Sequence, residues 1–412
     1  MKRDGQGLSG FASSIATALA LLFVSTRLAC AEPVVGEFTE ESLFTTTHVF
    51  SARAASTDSG YVAALSGSRF SVGWRDAGSG AWSWTVLDEE PNYGGEAAIA
   101  SHGSTVIVAR PVGILIRIYR STDGGRTFVG PYNMTLIDPG VTAPVREMVM
   151  TRHPDGVFLI AFTRENEGSP TLGYVLASSD DGQTWTAPML AFGGASTLSQ
   201  IHLGAHRDGY FLSYAERVGE FGSLHLCSST DGLDWRDEVL SRRSGGDIGA
   251  SALHVRDDVA ILALDPAEGG ELVFWRRNGG AWSASTLPMP GSRSAPFIHM
   301  TSFADGRIML LRDEADDALH VLATADAGET WRDMGVIDQK KGRLIGAFPR
   351  EEGLDLCWRR PGALVNDGRI MWRAAAWTSD ARTVLSRLPG TPMNPGKIAA
   401  ISVLADEAPP IE

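Results

Sequence analysis

Beyond its first thirty residues the chain alternates short apolar runs with polar turns, and the pattern repeats. One unit reads as an apolar strand, a tight polar turn, a second apolar strand, a loop, a third strand, a glycine-containing turn, and an aromatic residue opening a fourth strand. Apolar runs this short, bounded by Gly and Asp, predict strands. The first turn recurs as His153-Pro154-Asp155-Gly156, His206-Arg207-Asp208-Gly209, Arg256-Asp257-Asp258, Ala304-Asp305-Gly306 and Arg350-Glu351-Glu352-Gly353. Asp-Gly between apolar runs is a strong hairpin signal. The aromatics that open the fourth strands are Trp82, Phe128, Trp185, Trp235, Trp282, Trp331 and Trp377, spaced 46 to 57 residues apart. A period near fifty marks a repeat architecture in which neighbouring units bury each other's faces.

The glycine turns carry the most information. They read Ser121-Thr122-Asp123-Gly124-Gly125-Arg126-Thr127-Phe128, Ser178-Ser179-Asp180-Asp181-Gly182-Gln183-Thr184-Trp185 and Thr324-Ala325-Asp326-Ala327-Gly328-Glu329-Thr330-Trp331, with a variant at Ser228-Ser229-Thr230-Asp231-Gly232-Leu233-Asp234-Trp235. The chemistry suits a strand-to-strand turn: the carboxylate accepts backbone N–H groups, Gly takes a positive φ, and the indole packs into a seam between sheets. These turns resemble the Asp box, or BNR repeat, of sialidase-superfamily β-propellers. Three further units, Trp74-Arg75 to Trp82, Trp275-Arg276 to Trp282 and Trp372-Arg373 to Trp377, read as degenerate copies. The expected fold is all-β: a seven-bladed β-propeller of four-stranded antiparallel blades. A six-bladed sialidase-type ring is the alternative. The propeller is expected over residues 32–390, with 391–412 a tail whose apolar stretch Ile398 to Leu404 pairs with a terminal blade to close the ring.

The first 31 residues read as an export signal. Lys2 and Arg3 precede an apolar stretch from Phe11 to Val24, and Ala29-Cys30-Ala31 offers small residues for cleavage after Ala31. Lipidation at Cys30 is the alternative. Extracytoplasmic location, periplasmic or secreted, follows as an expectation, with no membrane-spanning segment in the mature chain. Cys227 and Cys357 fall on blades three apart, too far for a bridge, and read as buried thiols.

Net charge is −13, and Lys appears only at positions 2, 340, 341 and 397, leaving 32 arginines. An acidic chain without a basic run does not suit a nucleic-acid partner. Arginines recur, however, where second strands end: Arg110, Arg164, Arg217, Arg312 and Arg359. These positions fall at the end of the ring away from the Asp turns, together with Arg146, Arg293 and Arg343. Forked guanidinium groups gathered there suit a carboxylate or sulfate; pairing with local acids such as Glu165, Glu216 or Asp313 is the competing reading.

Candidate acids and bases on this end include Glu96, Glu147, Glu216, Asp247, Asp265 and Asp313. Tyr214 and Glu216, two apart on one strand, point the same way; the resemblance implies a Tyr nucleophile helped by Glu, with an Asp acid/base. The chain has no Phe/Tyr-Arg-Ile-Pro segment, and no Tyr follows Tyr214. His202 and His299 hold equivalent first-strand positions and lack neighbouring ligands, so no metal or cofactor is expected. Two functions remain open. One is a monomeric, non-catalytic propeller that binds an anionic glycan or extracellular protein through the arginine face. The other is a diverged sialidase-like exo-glycosidase acting on an acidic sugar, with Tyr214, Glu216, Glu147 and Asp265 at work. An assembly scaffold is a third reading.

Overall fold

The computed structural model describes residues 39–377, less 48, 77–80, 92–94, 136–142, 166–169, 194–196, 257, 279–280, 290–296, 304, 314–317, 339–342, 351–352 and 362–366. All regular structure among them is β. The first strand, β1 (Thr39–Thr47), stands apart from the repeat. Blade one holds β2 (Val49–Thr57), β3 (Gly60–Gly67), β4 (Phe70–Asp76) and β5 (Trp82–Asp88). Blade two holds β6 (Ala98–His102), β7 (Thr105–Val112), β8 (Leu115–Ser121) and β9 (Val129–Thr135). Blade three holds β10 (Val145–Arg152), β11 (Phe158–Arg164), β12 (Leu172–Ser178) and β13 (Met189–Gly193). Blade four holds β14 (Thr197–His206), β15 (Gly209–Val218), β16 (Phe221–Ser229) and β17 (Arg236–Ser244). Blade five holds β18 (Ala250–Arg256), β19 (Val259–Asp265), β20 (Glu271–Asn278) and β21 (Trp282–Pro288). Blade six holds β22 (Ile298–Ser302), β23 (Ile308–Asp313), β24 (Ala318–Thr324) and β25 (Arg332–Asp338). Blade seven takes β26 (Arg343–Pro349), β27 (Gly353–Pro361) and β28 (Asp367–Ala376) from the end of the chain and β1 from its beginning.

The seven-bladed propeller of four-stranded antiparallel sheets is therefore observed, without the six-bladed alternative. The strand that completes blade seven comes from before the first repeat. β1 pairs antiparallel with β28, from Thr39 opposite Ala374 to Thr47 opposite Asp367, and supplies the outer strand of blade seven. The stretch Ile398 to Leu404, expected to pair with a terminal blade, lies outside the described residues, as do residues 1–31, read above as an export signal.

Seven hydrophobic clusters account for the core, each spanning one seam between neighbouring blades. Phe158, Ile160 and Phe162 of blade three, for example, pack with Ile107, Ala109 and Ile118 of blade two. A two-faced sheet finds a partner on both sides only when the ring is complete. The second strand of blade three, β11, is accordingly buried along its length, while outer strands such as β9 are largely exposed. Cys227 and Cys357 are buried free thiols.

The Asp turns fasten these seams. In blade three, Asp180 Oδ1 accepts the N–H groups of Gln183 (3.0 Å) and Thr184 (2.8 Å), and Oδ2 accepts the Thr184 hydroxyl (2.6 Å). The Thr184 hydroxyl and N–H hold this carboxylate down to about 2. Ser178 Oγ accepts the Gly182 N–H (2.9 Å) and donates to Asp180 (2.8 Å). Asp123 and Asp326 repeat the pattern, and the shorter variant builds it from Ser229 and Asp231. Gly182 sits at φ +82 against Ile107 of blade two, where a Cβ would lie 2.3 Å from Ile107 Cδ1. Arg120 Nε, also from blade two, donates to the Asp181 carbonyl at 2.6 Å. Gly182→Ala should therefore destabilise the protein by about 1–3 kcal/mol through backbone strain and overpacking. An urea-unfolding midpoint equal to that of the unsubstituted protein would show that the turn does not clamp the seam.

Candidate functional site

Turns between strands one and two and between strands three and four share one end of the ring: Gly124 N–H donates to the Ser104 carbonyl at 2.8 Å. The opposite end carries the second-to-third loops and the passages between blades. There the inner strands β2, β6, β10, β14, β18, β22 and β26, successive neighbours around the ring, begin. Several begin irregularly. The ladder register shifts between Val145 and Met148 in β10 and between Ser199 and His202 in β14. Bulges re-aim side chains, and these two place Glu147 and Gln200 face to face.

Glu147 Oε1 accepts the Gln200 N–H (3.2 Å) and Oε2 the Ile201 N–H (3.0 Å). Gln200 sits at φ +54, an unusual conformation for a residue with a side chain. Its amide continues to blade five: Nε2 donates to the Gly249 carbonyl (2.9 Å), and Oε1 accepts the Ser251 N–H (2.9 Å) and hydroxyl (3.1 Å). Ser251 Oγ lies 3.3 Å from His202 Nε2. On the other side Arg53 of blade one pairs with Glu96, whose N–H donates to the Arg146 carbonyl at 3.1 Å. One bonded belt thus crosses blades one to five.

Its electrostatics are unusual. Burial, aided by the charge of Glu96 and opposed by the Ile201 and Gln200 N–H groups, raises Glu147 to about 8. Burial and the Arg53 charge lower His202 to about 3 and His299 to about 4; burial and Arg256 lower His254 to about 3. At neutral pH Glu147 therefore keeps its proton, the three imidazoles are uncharged, and the ion pair Arg53–Glu96 stands beside them. Nε2 of His254 and of His299 is buried with no hydrogen-bond partner among the described residues. Those residues offer no group of three or more His, Cys, Asp or Glu able to hold a metal.

Three of the second-strand arginines turn inward instead of standing open around a mouth. Arg110, fully buried, donates to the Glu90 carbonyl (2.5 Å) and lies 3.4 Å from Asp88. Arg312 Nε donates to Asp265 at 2.5 Å, and both are buried. Arg164 donates through Nε and Nη2 to the Ala143 carbonyl, with its guanidinium over Tyr174. Desolvation favours such pairing, since a buried guanidinium without an acceptor is costly. Arg217 is exposed, and Arg146 is half exposed beside Glu165 at 3.3 Å. Arg343 and Arg359 face each other across β26 and β27, and their side chains fall outside the described set, as does Arg293.

Tyr214 and Glu216 do share a face and both reach His225. The Tyr214 hydroxyl donates to Asp237 Oδ2 (3.1 Å) and lies 3.1 Å from His225 Nδ1; Glu216 Oε2 is 3.2 Å from His225 Nε2. The ring of Tyr214 is buried in the seam of blades three and four, and burial, with Cys227 and Asp237 nearby, holds its hydroxyl well above the usual range. Arg53, Gln200 and Ser251 were not singled out by sequence pattern: their roles arise from contacts between blades, some fifty residues apart.

No protein-family model and no curated protein matches the sequence. Solved structures do match in shape. The polysaccharide lyase Uly1 is similar over 83% of this chain and 99% of its own, with TM-score 0.59 and 8% identity. A Trypanosoma rangeli sialidase in complex with sialic acid is similar over 86% of this chain and 61% of its own, with TM-score 0.50 and 11% identity. The likeness is one of fold: a β-propeller. Among the described residues no helix is long and apolar enough to cross a membrane.

A raised carboxyl makes stability pH-dependent. Glu147 binds its proton more tightly in the folded state, about 8 against 4.5, so stability should fall as pH rises through that window. Glu147→Gln removes the titration. The variant should melt higher than the parent at about pH 9, and the gap should narrow toward about pH 5. Parallel melting curves across that range would show that Glu147 ionises normally.

Proposed function

We propose that the protein is an exported, sialidase-like Asp-box propeller that binds an acidic glycan at the channel mouth on the end away from its Asp turns. What carries this is the placement of Glu147, which accepts the Gln200 and Ile201 N–H groups and is raised to about 8 by burial, near the Arg53–Glu96 pair. An incoming carboxylate meets a proton donor there instead of a second negative charge, and the half-exposed Arg146 adds a cation nearby. The leader supports export, and two proteins sharing the fold, a polysaccharide lyase and a sialidase, are named for carbohydrate chemistry; that is analogy of fold.

Titration calorimetry with sialyllactose and with an oligoglucuronate tests it. Binding at about pH 6 should weaken at least tenfold at about pH 9, as Glu147 loses its proton, and by a similar factor in Arg146→Ala, about 1.4 kcal/mol each. No binding by either glycan, or affinity indifferent to pH and to Arg146, would overturn the reading.

The same carboxyls favour a second reading, a diverged glycosidase. A neutral Glu147 and a paired Glu96 on adjacent blades have the protonation states of an acid and a base or nucleophile. Fluorogenic sialosides and uronides should then be turned over, and Glu147→Gln should lower kcat by about 100-fold or more. Inactive, folded protein across both substrate types would leave binding alone.

A further inference from the structure

A cavity of about 200 Å³ lies in the seam between blades four and five, lined by Phe211, Leu226, Ser228, Arg236, Glu238, Arg277 and Trp282. Its setting is visible in the repeat. Where a blade carries the Ser/Thr-x-Asp-x-Gly turn, the turn glycine settles on the second strand of the preceding blade: Gly125 on Val62, Gly182 on Ile107, Gly328 on Ile261. Val62, Ile107 and Ile261 are each the third residue of their strand, and in β15 that residue is Phe211. Blade five has no such turn. Phe211 is met instead by the edge of Trp282 (centroids 5.3 Å apart, planes at 79°) and by the guanidinium of Arg277, 5.0 Å from the ring centroid. The cavity lies beside this contact.

The lining is chemically mixed in a definite way. Strand register puts Ser228 opposite both Phe211 and Arg236, and Leu226 opposite Glu238, so all five share one face of blade four. Phe211 and Leu226 form a buried apolar floor. Arg236 and Glu238 are exposed, and among the described residues neither makes an ion pair or a side-chain hydrogen bond. An isolated surface pair of opposite charges would be unremarkable; here both flank an indole and a cavity.

We propose that this seam is a binding site for a single neutral pyranose at the end of a glycan. The indole of Trp282 offers an apolar surface to ring C–H groups, the planar fork of Arg236 donates to the oxygens of vicinal hydroxyls, and Glu238 accepts a hydroxyl proton. The volume is below the roughly 300–1,000 Å³ typical of pockets for larger ligands, which suits one ring. The seam opens beside the Asp turns, at the opposite end from the channel mouth. It is independent of the acidic-glycan reading.

Saturation-transfer NMR on the full chain, with methyl glycosides of neutral hexoses and 6-deoxyhexoses at about 5 mM, reads such weak binding directly. Transfer to ring C–H protons of at least one glycoside is expected, reduced about tenfold or more in Arg236→Ala and in Glu238→Ala. Both substituted side chains are exposed, so the fold should persist, and unchanged melting temperatures would verify it. No transfer from any glycoside, or transfer that both variants leave intact, would overturn the proposal. Because every probe is uncharged, either failure would leave the channel-mouth reading untouched.

Discussion

Each sheet of this protein has two apolar faces and can bury neither alone. The ring solves that problem, because every blade lends one face to the blade before and one to the blade after. The strength of the solution lies in the seams, where glycine turns at positive φ bring the corner of one blade against the second strand of its neighbour without side-chain overlap. The carboxylate of each turn then satisfies backbone donors that would otherwise face outward unpaired. Sequence repetition, burial pattern and local hydrogen bonding all serve the same requirement.

What the ring imposes at its centre is different. Inner strands converge where there is little room for large apolar groups, and their backbone ladders are interrupted by bulges. Polar side chains fill the space: a guanidinium, two carboxyls, an amide, a hydroxyl and three imidazoles. Burial there disfavours the charged form of each titratable group. That is why Glu147 holds its proton near neutrality and why the imidazoles do not. The outer parts of the seams differ again. At the seam of blades four and five a cavity is lined by side chains that the neighbouring strands present.

The fold was legible because it is periodic. The seven aromatic positions from Trp82 to Trp377, and the Asp turns in phase with them, point to four strands per unit, seven units and their orientation without reference to any tertiary contact, with a six-bladed ring left as the alternative. The direction of Tyr214 and Glu216 was legible for the same reason, since alternation along a strand is local. The belt was only partly so. Glu147 was marked as a carboxyl on the right end, but its partner Gln200 lies more than fifty residues on, within a bulge that no pattern of apolar and polar residues announces. The second-strand arginines show the limit from the other side. Their recurrence was plain, yet whether Arg110, Arg164 or Arg312 faces solvent or a buried acceptor depends on Glu90, Ala143 and Asp265 in neighbouring segments. The ring's fastening was hidden too, because a single strand before the first repeat has no period to betray it.

That fastening ties the two ends of the described chain into one sheet. Residues near position 40 hydrogen-bond with residues near position 370, the longest sequence separation available to the described chain. During synthesis the earliest strand emerges with no partner, and it waits until almost everything after it has been made. Six blades can condense as they appear; the seventh cannot. Contacts of such separation are slow to form, and until β1 returns to it the edge of β28 stays open to pairing with another strand.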